Sequence, residues 1–125
     1  MLRAVRVHHI ALRTRDLPRL QAFYAGLLGL PVTRQDAVRG EGARRVWLGA
    51  GETLVMLETA GPGEPEVPPG TLELVAFGIA REERATYKET LAAAGVPIEA
   101  ESEFTLYFRD PDGRRVGLSH YPERP

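Results

Sequence analysis

Cysteine is absent from the 125 residues. That excludes disulfide bridges, thiolate metal centres and cysteine nucleophiles, and it fits a reducing compartment. Asparagine is missing too, lysine occurs once (Lys88) beside fifteen arginines, and there are ten prolines. Few thermolabile amides and many loop prolines are leanings of heat-adapted chains, so a thermophile-like protein is expected. Neither charge sign dominates: the formal net charge is −1, and the arginines are interleaved with Asp and Glu. No clustered basic face is in prospect, so nucleic acid is not an expected partner. No apolar run approaches the roughly 18–20 residues of a membrane span, and the N-terminus has no signal-peptide core. The expectation is a cytoplasmic protein with no membrane partner.

What is present is organised around Val7–Val32, VHHIALRTRDLPRLQAFYAGLLGLPV. The first residues read as a strand, with His8, Ile10 and Leu12 on one side and His9, Ala11 and Arg13 on the other. Asp16 is a helix N-cap, and Pro18 is tolerated in a first turn that has no N–H partner to lose. Leu17, Leu20, Tyr24, Leu27 and Leu28 recur at helical spacing, with Phe23 on the margin of the stripe. Gly29 suits a left-handed cap, and Pro31 stops the helix. A short strand follows from Val32 to Asp36, then a polar loop through Arg39, Gly40, Glu41 and Gly42. Arg45–Leu48 and Thr53–Thr59 read as a hairpin through Gly49-Ala50-Gly51-Glu52. The stretch Ala60–Gly70, AGPGEPEVPPG, can hold neither helix nor central strand and reads as a linker.

The second half repeats the first. Leu72–Ile79 reads as a strand and Glu82–Ala94 as a helix, with Ala85, Leu91, Ala92 and Ala94 available for packing. Gly95-Val96-Pro97-Ile98 repeats Gly29-Leu30-Pro31-Val32. Phe104–Arg109 and Arg114–Tyr121 form a closing hairpin around Asp110-Pro111-Asp112-Gly113, where Pro fixes φ, Asp bonds the local backbone and Gly takes the positive φ. The fold class expected is α+β in one domain spanning 1–125. Two paired β-α-β-β-β modules, about 5–59 and 71–121 with the linker at 60–70, would supply curved mixed sheets enclosing a cavity, helices outside.

These stretches resemble the vicinal oxygen chelate superfamily, which groups glyoxalases, bleomycin-resistance proteins and extradiol dioxygenases. The resemblance rests on Val7–Val32, on WLGAGETLVMLE at Trp47–Glu58 and on YFRDPDGRRVGLS at Tyr107–Ser119. It implies four metal-ligand places, one on each of four strands. His9 stands in the first. Met56 stands in the second, a thioether with little attraction for a hard divalent ion. Leu74 and Gly117 stand in the third and fourth. Glu58 lies two residues beyond Met56 on the same strand face, so His9 and Glu58 are the residues a surviving metal would use. A one-residue alignment slip would put Glu58 in the ligand place. Strict alternation sends His120 to the opposite face from Gly117, a parity that a β-bulge would overturn.

Each of these residues also has an ordinary structural reading. His9 suits a polar cavity residue, His8 a place beneath the helix or at a subunit contact, and Glu58 a solvated strand end. Trp47 and the Tyr107-Phe108 pair suit the core, and either would alternatively line the mouth of the cavity. Arg13 and Arg115 share parity with the cavity-facing positions, and two arginines there suit an anionic ligand through charge-assisted hydrogen bonds. They could equally pair with Glu58 or sit at the rim.

The leading expectation is a small-molecule binding protein with a degenerate metal site and no cofactor. Its pocket would be lined by His9, Arg13, Met56, Glu58, Leu74, Arg115, Gly117 and Ser119 and would take a ligand of anionic character. The alternative is a metal-dependent lyase, isomerase or dioxygenase of the glyoxalase type, holding a divalent ion through His9 and Glu58. A structural domain with a collapsed cavity is the third. Whether any reaction is catalysed stays open at this point. Open sheet edges and the resemblance together lead to an expected homodimer.

Overall fold

The computed structural model describes residues 2–37, 44–65 and 67–124. The expected polar loop at Arg39–Gly42 lies outside them. The chain divides into two compact units, Met1–Val67 and Pro68–Pro125, with the division inside the proline- and glycine-rich stretch.

In the first unit, β1 (His9–Thr14) leads into α1 (Leu17–Gln21), which continues as a π-helical turn over Ala22–Leu27. Then come β2 (Val32–Ala37), β3 (Arg44–Ala50) and β4 (Thr53–Thr59). The sheet order is β1-β4-β3-β2, with β1 parallel to β4 and the other pairs antiparallel. The Asp16 carboxylate caps α1 by accepting from the Arg19 N–H at 3.1 Å, answering one of the orphan donors of the first turn. Strand parity then decides the core. Leu12, Val46, Leu48, Val55 and Leu57 are buried on one face of the sheet, and Leu17, Leu20, Phe23, Tyr24 and Leu28 are buried along the helix.

The π turn corrects the expected stripe. Leu28 N–H bonds to the Phe23 carbonyl at 3.0 Å, five residues back. That wider turn carries Phe23 from the margin into the core and leaves Leu27 only half-buried.

The second unit repeats the plan. β5 (Val75–Gly78) is followed by a 3₁₀ turn at Arg81–Glu83, α2 (Arg84–Ala93), β6 (Ala100–Glu101), β7 (Thr105–Arg109) and β8 (Arg115–Ser119). The order β5-β8-β7-β6 mirrors the first sheet, with β5 parallel to β8. Each unit is thus a β-α-β-β-β module with a mixed four-stranded sheet that does not close on itself. Gly29 and Gly95, the two residues matched in the repeat, both take positive φ, +81° and +74°. At Gly95 the cap is a Schellman motif: Val96 N–H bonds to the Leu91 carbonyl at 2.9 Å and Gly95 N–H to Ala92 at 3.1 Å.

Two expected elements differ. The strand expected from Leu72 is shorter, because β8 offers β5 pairing only from Val75 to Gly78, and Leu72 is exposed. On α2, Ala85, Ala92 and Ala94 are exposed, and Leu91 alone is buried. The inward stripe runs instead through Arg84, Tyr87 and Leu91, at spacings of three and four, so the helix turns its long residues rather than its alanines to the sheet. Burial and the nearby Glu83 charge raise the Tyr87 phenol pKa above its ordinary value.

Candidate functional site

On the first sheet, register places His9 beside Leu54, Ala11 beside Met56, and Arg13 beside Glu58. On the far side of β4, Met56 pairs with Trp47 and Glu58 with Arg45. These residues share the face turned away from α1. His9 stands exposed, its ring edge-on to Trp47 at 5.2 Å between centroids and its Nδ1 3.0 Å from Nδ1 of His8. His8 is exposed as well and does not pack beneath the helix. Trp47 is half-buried, and its buried Nε1–H has no acceptor among the described residues.

Arg13 is on the expected face, but its charge is answered by Glu64 rather than by Glu58. Its guanidinium pairs with Glu64 at 2.9 Å and donates to the Pro65 carbonyl at 3.1 Å, strapping the 61–65 segment to the end of β1. Glu58, between Arg13 and Arg45 in register, has no hydrogen bond or ion pair among the described residues; Arg45 pairs with Asp36 at 3.1 Å instead. A groove of about 510 Å³ in this unit is lined by Arg15, Leu17, Gln21, Gln35 and Arg44 among others, and holds none of the eight expected pocket residues.

On the second sheet, Ala76 lies beside Gly117 and Gly78 beside Ser119 on β5 and β8; across β8, Gly117 faces Tyr107 and Ser119 faces Thr105. Gly117 is buried, and a Cβ there would meet Thr105 Cγ2 at 3.2 Å, Leu74 Cδ1 at 3.4 Å and Ala76 Cβ at 3.5 Å. The position is therefore closed over by small apolar groups. Arg115 lies with its guanidinium carbon 4.4 Å from the Tyr107 ring centroid, and no carboxylate pairs with it among the described residues. The Thr105 hydroxyl meets that of Ser119 at 2.9 Å. Leu74, Arg115, Gly117 and Ser119 lie on one face of this sheet.

Thr105 was not expected to belong to this face's chemistry, and Tyr107 was expected in the core or at the mouth of a cavity. Pairing outward from the Asp110–Gly113 turn would have placed both, since it sets Arg109 against Arg115 and then Tyr107 against Gly117 and Thr105 against Ser119. His120 is buried on the other side. Arg84 can only donate, so His120 Nε2 accepts from it at 3.0 Å, and Nδ1–H is left to donate to the Glu123 carbonyl.

Two open mixed sheets with this repeated strand order define a glyoxalase-type fold. The chain belongs to the Glyoxalase/Bleomycin resistance protein/Dioxygenase superfamily, whose family model matches residues 6–118. Among solved structures it is similar to the trypanothione-dependent glyoxalase I of Leishmania major, at 26% identity, TM-score 0.78, over 94% of this chain and 87% of that one. It is also similar to the fosfomycin resistance protein FosX of Listeria monocytogenes, solved with Mn(II) and a dihydroxypropylphosphonic acid. That match has 21% identity and TM-score 0.76, and covers 95% of this chain and 93% of that one. A third likeness is to lactoylglutathione lyase from Agrobacterium tumefaciens, at 21% identity and TM-score 0.70, with 94% and 95% covered.

The residues present do not fit the metal such relatives suggest. At the implied ligand places Met56 offers a thioether, and Leu74 and Gly117 offer nothing. His9 and Glu58 are not neighbours in the sheet: Glu58 pairs in register with Arg13, four residues beyond His9, about 13 Å along the backbone at strand rise. Among the described residues no group of three His, Cys, Asp or Glu side chains comes together. No helix among them is long and apolar enough to cross a membrane.

Proposed function

We propose that the protein binds a small anionic molecule on the face carrying Arg115, with no resident metal and no cofactor. The observation that carries this reading is Arg115 itself. Its guanidinium is stacked on Tyr107, which holds the planar fork in place while leaving its N–H edges free for a carboxylate or similar anion. Arg13 is the contrast, being already neutralised by Glu64. The apolar Leu74 and Ala76 beside buried Gly117 suit the body of an organic ligand.

The test is a thermal-shift screen of small carboxylates and aromatic acids. At about a hundredfold excess over the dissociation constant, linkage gives roughly 2.7 kcal/mol of stabilisation. Arg115→Ala should lose most of the shift, whereas Arg13→Ala should keep it. Equal binding by both variants and the parent would make Arg115 a mere surface group and end the reading.

The likeness to a glyoxalase I keeps a metal-dependent lyase, isomerase or dioxygenase as the competing reading. Metal analysis separates the two. Protein purified and dialysed should hold far less than stoichiometric Zn, Ni, Mn, Fe or Co, with a melting temperature indifferent to chelator. A stoichiometric ion whose removal destabilises the fold would favour the enzyme.

We further propose a cytoplasmic homodimer. Each sheet ends in two edge strands, β1 and β2 or β5 and β6, and edges with unpaired donors and acceptors favour association. Light scattering should return twice the 13.8 kDa of one chain, and the single-chain mass at high micromolar concentration would overturn this.

A further inference from the structure

The hydroxyl pair next to Arg115 has one proton too many. Ser119 Oγ accepts from the Thr105 hydroxyl at 2.9 Å and from the Tyr121 N–H at 3.2 Å. A serine oxygen has two lone pairs and one proton, so both lone pairs are taken and the proton is still to be placed. If the hydroxyl–hydroxyl bond ran the other way, the Thr105 proton would be the one left over. Either way, one O–H of the pair has no acceptor among the described residues. The direction with Thr105 donating is the favourable one: Thr105 is only 7% exposed, and an uncommitted donor in that dry position costs more than one on half-buried Ser119.

Geometry ties this donor to the cation. Arg115 lies over Tyr107, which faces Gly117, and the next pair along the same face is Thr105 and Ser119. Arg115 and Ser119 lie four residues apart on β8, but the guanidinium reaches over Tyr107, the partner of Gly117, so the cation stands about one pair, roughly 7 Å at strand rise, from the hydroxyl. The short apolar interval between them is Gly117 with Leu74 and Ala76 over it.

We infer that Ser119 is a specificity-determining donor, and that the ligand class is a short carboxylate carrying a neutral oxygen acceptor, such as a ketone, a few bonds from its anionic end. Arg115 takes the carboxylate, the Ser119 O–H takes the ketone oxygen, and the methylenes between rest on Leu74 and Ala76, which cover Gly117. This rests on the anion-binding reading of Arg115 and adds the second contact.

A matched pair of probes tests it: levulinate, a five-carbon keto acid, and pentanoate, which lacks only the ketone. By calorimetry the parent should prefer levulinate by roughly three- to tenfold, the worth of one neutral hydrogen bond. Ser119→Ala should bring the two acids to equal affinity. Thr105→Val should retain the preference, because it frees the Ser119 oxygen without removing its proton. A purely structural hydroxyl pair would not divide the two variants in this way. Should Thr105→Val fail to fold, parent and Ser119→Ala still decide the matter. Equal binding of both acids by the parent, or a preference that survives Ser119→Ala, overturns the inference while leaving anion binding at Arg115 standing. Binding of neither acid overturns both.

Discussion

The two modules share a strand order and a cap glycine, yet hold themselves together differently. In the first, five apolar side chains of the helical segment are buried against a strand face that contributes Leu12, Val46, Leu48, Val55 and Leu57. In the second, α2 contributes only Leu91 to the buried set, against Leu106, Phe108, Val116 and Leu118. Its remaining inward positions are polar. Arg84 donates to the Ser102 and Glu103 carbonyls at 2.9 and 3.3 Å, to Glu101 at 3.1 Å and to His120 at 3.0 Å. The opposite faces differ in the reverse sense. The first module closes its cation with Glu64; in the second, no carboxylate among the described residues pairs with Arg115. A repeat thus preserves the frame, while each copy is free to distribute apolar and polar contacts in its own way.

The sharpest way to break this comparison is to empty each helix interface. Tyr24 and Leu91 are both fully buried. Tyr24→Ala should cost about 3–5 kcal/mol, and Leu91→Ala about 2–3 kcal/mol, because a cavity with fewer apolar walls collapses more readily. The sole tryptophan, Trp47, lies in the first module, so its fluorescence follows that module in urea while circular dichroism follows both. Equal costs would remove the distinction between an apolar and a polar helix interface.

Next in size is Arg84→Ala. Several of its bonds are charge-assisted, and it leaves the His120 ring without its donor, so a loss of about 1.5–3 kcal/mol is expected in chemical unfolding. The mirror substitution in the first module, Arg13→Ala, breaks a pair exposed by a third or more on each side and should cost under about 1 kcal/mol.

Much of the frame was legible in the sequence because its signals are local. Turn glycines, a proline beyond each helix and the apolar runs of β1, β4 and β8 leave little freedom, and the repeat of Gly29-Leu30-Pro31 at Gly95-Val96-Pro97 tied the halves together. The face of each expected pocket residue followed from parity alone. What parity could not supply was the partner of each charge. Arg13 finds Glu64 in a linker whose path no periodicity encodes, and Arg115 finds Tyr107 through cross-strand register. The helices misled for a related reason. A π turn displaces the stripe by a fraction of a residue per turn, and alanines count as apolar whether or not a sheet lies beneath them.

A smaller effect compares the modules where they should agree. Gly29→Ala and Gly95→Ala each force a Cβ into positive φ, with nothing within 4 Å to clash at either site. The cost is therefore conformational, about 1–2 kcal/mol each, and nearly equal in thermal or urea unfolding. A marked inequality would mean that one cap is not the left-handed turn the repeat requires.

The smallest effect belongs to the polar side of the second module, and it is visible only as a dependence on pH. Arg84 and Lys88 both donate to the Glu101 carboxylate, Lys88 at 3.1 and 3.2 Å. The hydrogen bond from Arg84, then that from Lys88, holds the Glu101 pKa below the ordinary carboxylate value, against an opposing desolvation. A carboxylate whose folded pKa is depressed adds stability that is complete above its unfolded pKa. That stability is lost as pH falls through the folded one. Glu101→Gln should therefore be less stable than the parent at neutral pH, with the gap closing on the acid side of the usual carboxylate range. Salt should narrow the gap as well, since the group is solvent-exposed and its pairs are screened. Parallel stability–pH curves for parent and variant would mean that Arg84 holds α2 through the Ser102 and Glu103 carbonyls and His120 alone, with Glu101 as a bystander.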